Sequence, residues 1–372
     1  MIGLLAAFVV SLGITLWVIH SARTGGHLLL DHDVSGPQKF HARPVPRVGG
    51  IGIFVGLSVA VVALLPRDRE AAILGALLLG CGVVAFGAGL LEDLTKRVSP
   101  GKRLLATAVS AALAAWWLGA AITRTDIPGL DWIVSFGIGS MLVTILAVSG
   151  IANSVNIIDG FNGLASMCVT IMLGALAYVA YQVGDPVIGV LALAGIGAVL
   201  GFFVWNFPAG LIFLGDGGAY FLGFFVAEVS LLLLLRNPEV SPLFPLLVCI
   251  YPVFETLFSI YRRRVLRAVP PSVPDGIHLH SLIYRRVMRW AVGDRSAKAL
   301  TRRNSMTSPI LWILCTLSVI PAVLFWDSTP LMLGSLLLFG VTYVLLYWRI
   351  VRFKAPRWMK AIITRPGSLS EH

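Results

Sequence analysis

Long apolar runs alternate with short polar breaks along the whole chain. Eleven such runs occur in the 372 residues, at about 1–20, 48–65, 71–91, 103–122, 132–150, 164–182, 186–205, 217–235, 242–260, 309–326 and 331–348. A run of about 20 apolar residues is long enough to cross a bilayer as a helix, in which the backbone satisfies its own hydrogen bonds. The pattern predicts an all-α, polytopic integral membrane protein with about eleven transmembrane helices. No soluble domain interrupts it, so residues 1–372 are expected to form a single transmembrane domain.

Composition agrees with this class. The chain is 57% hydrophobic and 13% charged, whereas soluble domains average roughly 25% charged residues. The first span has no basic segment before it and no small-residue cleavage site, so it is interpreted as a retained helix and not a signal peptide. The four cysteines lie in apolar spans without CxxC spacing, which predicts neither a disulfide framework nor a zinc site.

The basic residues predict the orientation. If the breaks alternate between the two sides, 25 of the 29 Lys and Arg residues fall on one side and 4 on the other. Cytoplasmic loops carry the excess of Lys and Arg, so the N-terminus is expected outside and the C-terminus in the cytoplasm. The net charge of +11 is mainly this topology signal, with attraction to anionic lipids or substrates as a secondary interpretation. No nucleic-acid-binding motif is present.

The acidic residues of the polar breaks gather on the same predicted cytoplasmic face. Glu92 and Asp93 end span three, where the helix dipole disfavours negative charge, so a metal or a basic partner is expected nearby. Asp216 opens span eight within Gly215-Asp216-Gly217-Gly218. Asp216 is either an ordinary N-cap or a ligand for a hard cation, beside glycines that let a phosphate approach the backbone.

A polar segment rich in Asn separates spans five and six. Asn156, Asp159, Gly160 and Gly163 are spaced at i, i+3, i+4 and i+7, and Asn162 lies among them. On a helical turn residues with that spacing share a face. Amides and a carboxylate on one face suit a nucleotide base, a ribose or a metal, although Asn and Gly also serve in ordinary turns.

Two further segments on this face combine histidine with basic residues. His278 and His280 precede Arg285-Arg286, and without a nearby Cys or third His they predict pyrophosphate binding and not a zinc site. Lys39 and His41 lie in a basic, proline-containing segment before span two. That segment is either an anchor on the cytoplasmic side or part of an anion site.

Taken in order from Lys39 to His280, these motifs resemble those of the polyprenyl-phosphate N-acetylhexosamine-1-phosphate transferases. The matching motifs are K-x-H-x-x-P-x-P-x-x-G-G (39–50), the acidic pair at 92–93, N-x-x-D-G-x-N-G (156–163), G-D-G-G (215–218), P-x-F-E-T (252–256) and D-G-I-H-L-H (275–280). The resemblance implies that a polyprenyl phosphate attacks the β-phosphorus of a UDP-N-acetylhexosamine and releases UMP. It also implies a Mg²⁺ ion, with Mn²⁺ as an alternative.

The resemblance carries roles onto single residues. It implies that Asp216 is the main metal ligand, that Asp93 holds or deprotonates the lipid phosphate and that Glu92 assists beside the metal. Asp159 completes the catalytic set and contacts the nucleotide or the metal. The expected substrate-binding residues are Asn156, Asn162, His278 and His280, with Lys39, His41 and Lys102 as weaker candidates for the lipid phosphate. The catalytic loops are then expected at about 21–47, 92–103, 151–164, 206–217 and 261–308, with a basic tail at 349–372.

The sequence departs from the family pattern at three places. Glu92 stands where Asp is usual, Asn162 stands where Asp is frequent, and the histidine segment reads His-Leu-His-Ser, not three successive His. The histidine pattern favours the branch that initiates O-antigen, capsule or exopolysaccharide synthesis over the N-acetylmuramoyl-pentapeptide transferases, which are the first alternative. A membrane transporter and a catalytically inert scaffold are more remote alternatives.

The expected location is the bacterial inner membrane, with the active site facing the cytoplasm. The expected partners are a UDP-N-acetylhexosamine, polyprenyl phosphate and membrane lipid, and no nucleic acid. Whether the protein forms a homodimer is left open.

Overall fold

The computed structural model of the chain describes residues 1–24, 30–31, 45–266, 277–288 and 296–352. Most of these residues are helical, and two short strands, β1 (Leu30–Asp31) and β2 (Val45–Pro46), pair in antiparallel orientation. The helices in chain order are α1 (Ile2–Thr24), α2 (Gly50–Leu64), α3 (Arg69–Thr95), α4 (Pro100–Trp117), α5 (Pro128–Val134), α6 (Gly137–Ile158), α7 (Leu164–Gln182), α8 (Pro186–Asn206), α9 (Gly215–Arg236), α10 (Phe244–Val248), α11 (Ile250–Tyr261), α12 (Leu279–Leu282), α13 (Ala297–Leu324) and α14 (Thr329–Val351). Two π-helical segments, Arg262–Leu266 and Ile283–Met288, continue α11 and α12. The all-α prediction is confirmed.

Eight helices in the described part of the chain are long and apolar enough to cross a membrane: α1, α3, α6, α7, α8, α9, α13 and α14. They coincide with eight of the eleven predicted spans. The other three predicted spans are helical but less regular. Helix α2 has 15 residues, α4 carries Lys102 and Arg103 near its start, and the span 242–260 is divided between α10 and α11. The polytopic membrane class is confirmed, and the number eleven and the orientation stay predictions.

Several helix boundaries follow local capping chemistry. Asp68, Ser99 and Asp185 precede α3, α4 and α8, and the side chain of each accepts a hydrogen bond from a backbone N–H of the first turn. Pro100 and Pro186 are the first residues of α4 and α8, a position where the missing N–H of proline costs nothing. The polar breaks read from the sequence are therefore true helix ends.

Helix α9 is the centre of the bundle. Of its most apolar 18-residue window, 94% is buried, and it packs chiefly against α3 and α6, with further contacts to α2 and α7. The backbones of α3 and α9 touch, since a Cβ atom added to Gly89 would lie 2.5 Å from the backbone nitrogen of Gly217. This contact holds the C-terminal end of α3 against the first turn of α9.

A polar cluster joins α3, α8 and α9 at the opposite end of the bundle. Arg236, at the end of α9, donates hydrogen bonds to Asp185 (Nε to Oδ2, 2.8 Å) and to Glu70 of α3 (Nη1 to Oε1, 2.8 Å). Asn237 donates to Asp185 Oδ2 at 3.1 Å. The cluster links α3, α8 and α9 at the end away from the first turn of α9.

The outermost long helix is α14, with 22% of its apolar window buried. Its exposed side chains include Leu337, Leu338 and Leu345. In a bilayer such a surface is satisfied by lipid chains, because the helix backbone is already hydrogen-bonded internally.

Candidate active site

A cavity of about 430 Å³ opens where α3 and α6 end, where α4 and α9 begin and where the histidine segment approaches them. Its walls combine acidic, basic, amide and imidazole side chains. The lining residues are Arg47, Glu92, Arg103, Asn156, Ile157, Asp159, Gly160, Phe161, Asn162, Asn206, Phe213, Leu214, Gly215, Asp216, His278, His280, Ser281 and Asn304. The structure thus brings together residues from polar breaks that are up to 257 positions apart in the chain, as Arg47 and Asn304 show.

Asp216 lies in the first turn of α9 and faces this cavity. Its Oδ1 accepts a hydrogen bond from the side-chain amide of Asn156 at 2.8 Å, and its Oδ2 forms an ion pair with the guanidinium of Arg103. A second guanidinium, that of Arg47, is 4.0 Å from Oδ1. The helix dipole favours a negative charge at this position, and two cations of the protein add to that effect.

Asp93 supports this turn from behind. Its two carboxylate oxygens accept the backbone N–H groups of Asp216 and Gly217, each at 2.9 Å. The turn itself needs glycine at position 215, where φ is +77° and an added Cβ would lie 2.6 Å from Asp93 Oδ2. Asp93 is buried and is not among the described residues that line the cavity. Its predicted contact with the lipid phosphate stays a prediction. In this structure Asp93 holds Asp216, the metal-ligand candidate, in place.

Glu92, in contrast, lines the cavity. Its Oε2 accepts the backbone N–H of Val98 at 2.7 Å, which fixes the side chain across the loop between α3 and α4. Of the acidic pair read from the sequence, Glu92 is therefore the member that lines the cavity.

Asp159 follows the last residue of α6 and also lines the cavity. Burial raises the pKa of its carboxyl from 3.8 to about 7; the charges of Asp216 and Asp93 act in the same direction, and the guanidinium of Arg47 opposes them. The carboxyl of Asp159 is therefore buried within reach of the negative charges of two other acids. An additional cation in the cavity would relieve this repulsion.

Asn162 lies at the cavity edge but is engaged by α13. Its backbone N–H donates to Asn304 Oδ1 at 2.8 Å, its side-chain amide donates to Pro208 O and to Ser305 Oγ at 3.3 Å each, and its carbonyl accepts from Ser308 Oγ at 2.6 Å. The turn after α6 is thereby anchored to a helix far along the chain. The predicted contact of Asn162 with substrate stays a prediction.

His278 and His280 are buried and line the far wall of the cavity. Their rings are nearly parallel, with centroids 5.1 Å apart and an interplanar angle of 15°. Paired imidazoles beside guanidinium groups provide donors for an anionic ligand.

The weaker phosphate-binding candidates have different outcomes. Lys39 and His41 lie outside the described residues. Lys102 is exposed, and its neighbour Arg103 lines the cavity and contacts Asp216, with its guanidinium carbon 5.8 Å from the ring centroid of Tyr220. The sequence analysis chose Lys102 of this basic pair, whereas Arg103 is the one of the two that lines the cavity.

Sequence reasoning also missed residues that have no local motif. Arg47 lies in the basic segment before span two but was not named as a site residue, and Asn206 and Asn304 were not considered, although all three line the cavity. Asn304 lies in the 261–308 stretch, where no pattern could be read. Ser308 follows Ser305 by three residues and Asn304 by four, the spacing that groups polar residues on one face of a helix, and this signal could have suggested Asn304.

The donor set suits a hard cation. Among the described residues no three His, Cys, Asp or Glu side chains converge into a ready-made metal site. However, Mg²⁺ commonly uses only one or two carboxylates and takes its other ligands from water and phosphates. Asp216 and Asp159, with the amide of Asn156 beside them, fit this requirement.

Comparison with known proteins shows which family the chain belongs to. A family model described as glycosyl transferase family 4 matches residues 75–234. The chain is 30% identical over 298 residues to a probable undecaprenyl-phosphate N-acetylglucosaminyl 1-phosphate transferase of Bacillus subtilis, covering 79% of this chain and 80% of that protein. It is 30% identical over 274 residues to a phospho-N-acetylmuramoyl-pentapeptide-transferase of Clostridium botulinum (68% and 79% covered). It is 28% identical over 253 residues to an undecaprenyl-phosphate alpha-N-acetylglucosaminyl 1-phosphate transferase of Thermotoga maritima (68% and 72% covered). The similarity to these proteins, together with the acid-lined cavity at one end of an apolar helix bundle, shows that the chain belongs to the polyprenyl-phosphate N-acetylhexosamine-1-phosphate transferase superfamily.

Proposed function

We propose that the protein transfers N-acetylhexosamine-1-phosphate from a UDP-sugar to polyprenyl phosphate, giving polyprenyl-diphospho-sugar and UMP. The observation that carries this proposal is the cavity in which the carboxylates of Asp216, Asp159 and Glu92 meet the guanidinium groups of Arg47 and Arg103. Such a mixture suits a phosphate-rich donor that binds with a metal ion. Its position at the end of membrane-spanning helices suits a lipid acceptor whose phosphate lies near the membrane surface.

The reaction exchanges one phosphoanhydride bond for another. A lipid phosphate oxygen forms a bond to the β-phosphorus of the UDP-sugar, and the bond from that phosphorus to the bridging oxygen breaks, so UMP leaves with this oxygen. Phosphoryl transfer depends mainly on positioning and on stabilising charge. In the proposed assignment Arg47, Arg103 and the histidine pair neutralise the phosphates, and Glu92 assists beside the metal from the cavity wall.

We further propose that Mg²⁺, with Mn²⁺ as an alternative, is bound by Asp216 with Asp159 beside it. When bound, the ion supplies positive charge that offsets the developing charge on the phosphates. The ion would neutralise the negative charge of Asp216, which is paired with Arg103 in this structure. The guanidinium of Arg103 would then be available to pair with a substrate phosphate.

The proposal also specifies which sugar the UDP donor carries. Relatives carry names of both the N-acetylglucosaminyl and the N-acetylmuramoyl-pentapeptide type. The relative that covers 79% of this chain is of the first type, and His278-Leu279-His280 interrupts the run of histidines expected for the second type. We therefore place an N-acetylhexosamine donor first, for initiating an envelope glycan such as O-antigen or exopolysaccharide, at the cytoplasmic face of a bacterial inner membrane.

A transfer assay tests the reaction and the donor together. Purified protein in detergent is given polyprenyl phosphate, Mg²⁺ and a panel of UDP-N-acetylhexosamines that includes UDP-N-acetylmuramoyl-pentapeptide, and UMP and the lipid product are identified by mass. We expect product from an N-acetylhexosamine donor and its loss with EDTA. Folded protein that neither binds nor turns over any donor would contradict the proposal and favour a scaffold or a transporter.

Asp216→Asn tests the metal assignment. The substitution keeps the shape and the hydrogen bond from Asn156 but removes the charge that a divalent cation needs, so we expect transfer to fall to background while expression is unchanged. Asp327→Asn is the matched control, because Asp327 is exposed and is not among the described residues that line the cavity. Near-normal activity of Asp216→Asn would remove the metal assignment.

A further inference from the structure

Behind the two cavity histidines lies a buried acid to which the proposed reaction gives no role. Glu255 of α11 is 2% exposed and is not among the described residues that line the cavity. Its Oε1 lies 3.0 Å from His278 Nδ1 and accepts the backbone N–H of Leu279 at 3.0 Å, and its Oε2 accepts the hydroxyl of Tyr343 at 2.7 Å. A buried carboxylate is costly unless it is well bonded, and here both oxygens are satisfied.

The contact with Glu255 determines how the ring of His278 is presented. An imidazole nitrogen that faces a carboxylate oxygen at 3.0 Å carries a proton, so Nδ1 is the donor in this pair. The ring orientation is thereby set, with Nε2 as the nitrogen remote from Glu255. A carboxylate bound to one ring nitrogen fixes the orientation and tautomer of functional histidines in the same way elsewhere in proteins.

The backbone around His278 is held as well. Arg262 donates to the carbonyl oxygen of Ile277 at 2.6 Å, and the hydroxyl of Tyr347 donates to the same oxygen at 3.2 Å. Together with the bond from Leu279 N–H to Glu255, these contacts secure the residues on both sides of His278. The histidine segment is therefore fixed by α11 and its π-helical extension on one side and by α14 on the other.

We propose that Glu255, supported by Tyr343, is a positioning residue that holds His278 so that Nε2 meets a phosphate group of the sugar nucleotide in the cavity. The identity of that phosphate rests on the proposed function, whereas the placement of the ring does not. Glu255, His278 and Tyr343 all lie outside residues 75–234, which the family model matches. Helix α14, which carries Tyr343, thus takes part in the site although none of its described residues lines the cavity.

A double-mutant cycle on kcat/KM tests this role. Glu255→Gln keeps the size and one acceptor oxygen but removes the charge, and we expect about a tenfold loss of kcat/KM for the UDP-sugar, since residues that orient functional histidines typically contribute at least this much. In a His278→Gln background the same substitution should change kcat/KM less than about twofold, because it acts through the missing ring. Equal losses in both backgrounds would overturn the proposal, since a merely structural acid is indifferent to residue 278.

Glu228→Gln is the matched control. Glu228 is a fully buried glutamate of α9, and neither of its oxygens has a hydrogen-bond partner among the described residues. The same chemical change there removes no bond, so we expect kcat/KM within about twofold of the unsubstituted protein. Tyr343→Phe removes only the bond to Oε2 and should cause a smaller loss than Glu255→Gln; a larger loss would place the effect in α14 and not in the acid.

A spectroscopic measurement separates this proposal from the reaction. In protein labelled with ¹⁵N-histidine, the signal of His278 is identified by its disappearance in His278→Gln. We expect the Nδ1-bound proton signal to shift in Glu255→Gln and to stay in place in Glu228→Gln. If the unsubstituted protein makes no product from any donor, the proposed function fails, and the spectrum still decides the positioning: an unchanged His278 signal in Glu255→Gln overturns it.

Discussion

At the scale of single residues, Asp159 links the charges of the site to pH. Its pKa is raised from 3.8 to about 7, first by burial and then by the neighbouring acids, with Arg47 opposing. The folded protein therefore holds this proton more tightly than the unfolded chain does. The resulting stabilisation is fully present below about pH 4 and is lost as the pH rises through about 7.

Asp159→Asn should remove this pH dependence. In metal-free buffer with EDTA, we expect the unfolding temperature of the unsubstituted protein to fall between about pH 5 and pH 8 more steeply than that of Asp159→Asn, because the amide does not titrate. Thermal unfolding in detergent at several pH values measures the difference. Asp327→Asn, at an exposed acid, should retain the original slope, and equal slopes for all three proteins would contradict the assignment.

Asp93 supports the site from a position that does not line the cavity among the described residues. Its carboxylate accepts two backbone N–H groups of the first turn of α9, so it determines where Asp216 is held. The N–H groups at a helix start have no partner within the helix, and a carboxylate there is also stabilised by the positive end of the helix dipole. The sequence showed an acid beside a predicted metal site, but the hydrogen-bond partners of this acid are known only from the fold.

At the scale of elements, the contact between α3 and α9 positions the acids relative to one another. Gly89 and Gly217 face each other with no room for a side chain, since an added Cβ at 89 would lie 2.6 Å from the carbonyl carbon of Asp216. The close approach brings Glu92 and Asp93 of α3 to the first turn of α9. Any separation of the two helices would move Asp216 away from its supporting carboxylate.

Gly89→Ala should therefore impair transfer. The methyl group would push the first turn of α9 outward, and displacements of about 1 Å in a catalytic arrangement can cost about a hundredfold in rate. Gly87→Ala is the matched control on the same helix, because a Cβ added there meets nothing within 4 Å. The transfer assay compares the two variants, and comparable activities would show that the contact does not determine the site.

At the scale of the whole molecule, the distribution of charge predicts how the bundle sits in the membrane. Most Lys and Arg residues are placed on the side of the cavity by the alternation of spans, and the positive-inside rule puts that side in the cytoplasm. A nucleotide donor is made in the cytoplasm, so the proposed function requires the same orientation.

Cysteine labelling tests the orientation. Arg67 and Arg97 are exposed and lie just beyond the two ends of α3, and the four native cysteines are buried. In intact cells a membrane-impermeant maleimide should label Arg67→Cys and not Arg97→Cys, and inverted vesicles should show the reverse. Labelling of Arg97→Cys in intact cells would place the cavity outside and contradict the proposed function.

The sequence by itself determined the class of protein and the regions from which the site is built. Apolar runs and their Pro, Gly and Asp breaks are local properties, so the spans, their ends and the acids Glu92, Asp159 and Asp216 could be identified without a fold. The histidine pair could be found in the same way, because it lies in a polar break with basic neighbours. The sequence did not distinguish the spans at 48–65, 103–122 and 242–260 from the others, since a helix that is short, charged at its start or broken can have the same average hydropathy as a regular one.

Only the tertiary structure decided which of neighbouring residues face the cavity. Successive residues of a helix point about 100° apart, so Arg103 enters the cavity and Lys102 does not, and Glu92 lines it while Asp93 lies behind the turn. The support of Asn162 by α13, and of His278 by Glu255 and Tyr343, joins residues 23 to 146 positions apart. Such partnerships depend on how separate helices pack against each other, and no local pattern of hydropathy or charge contains that information.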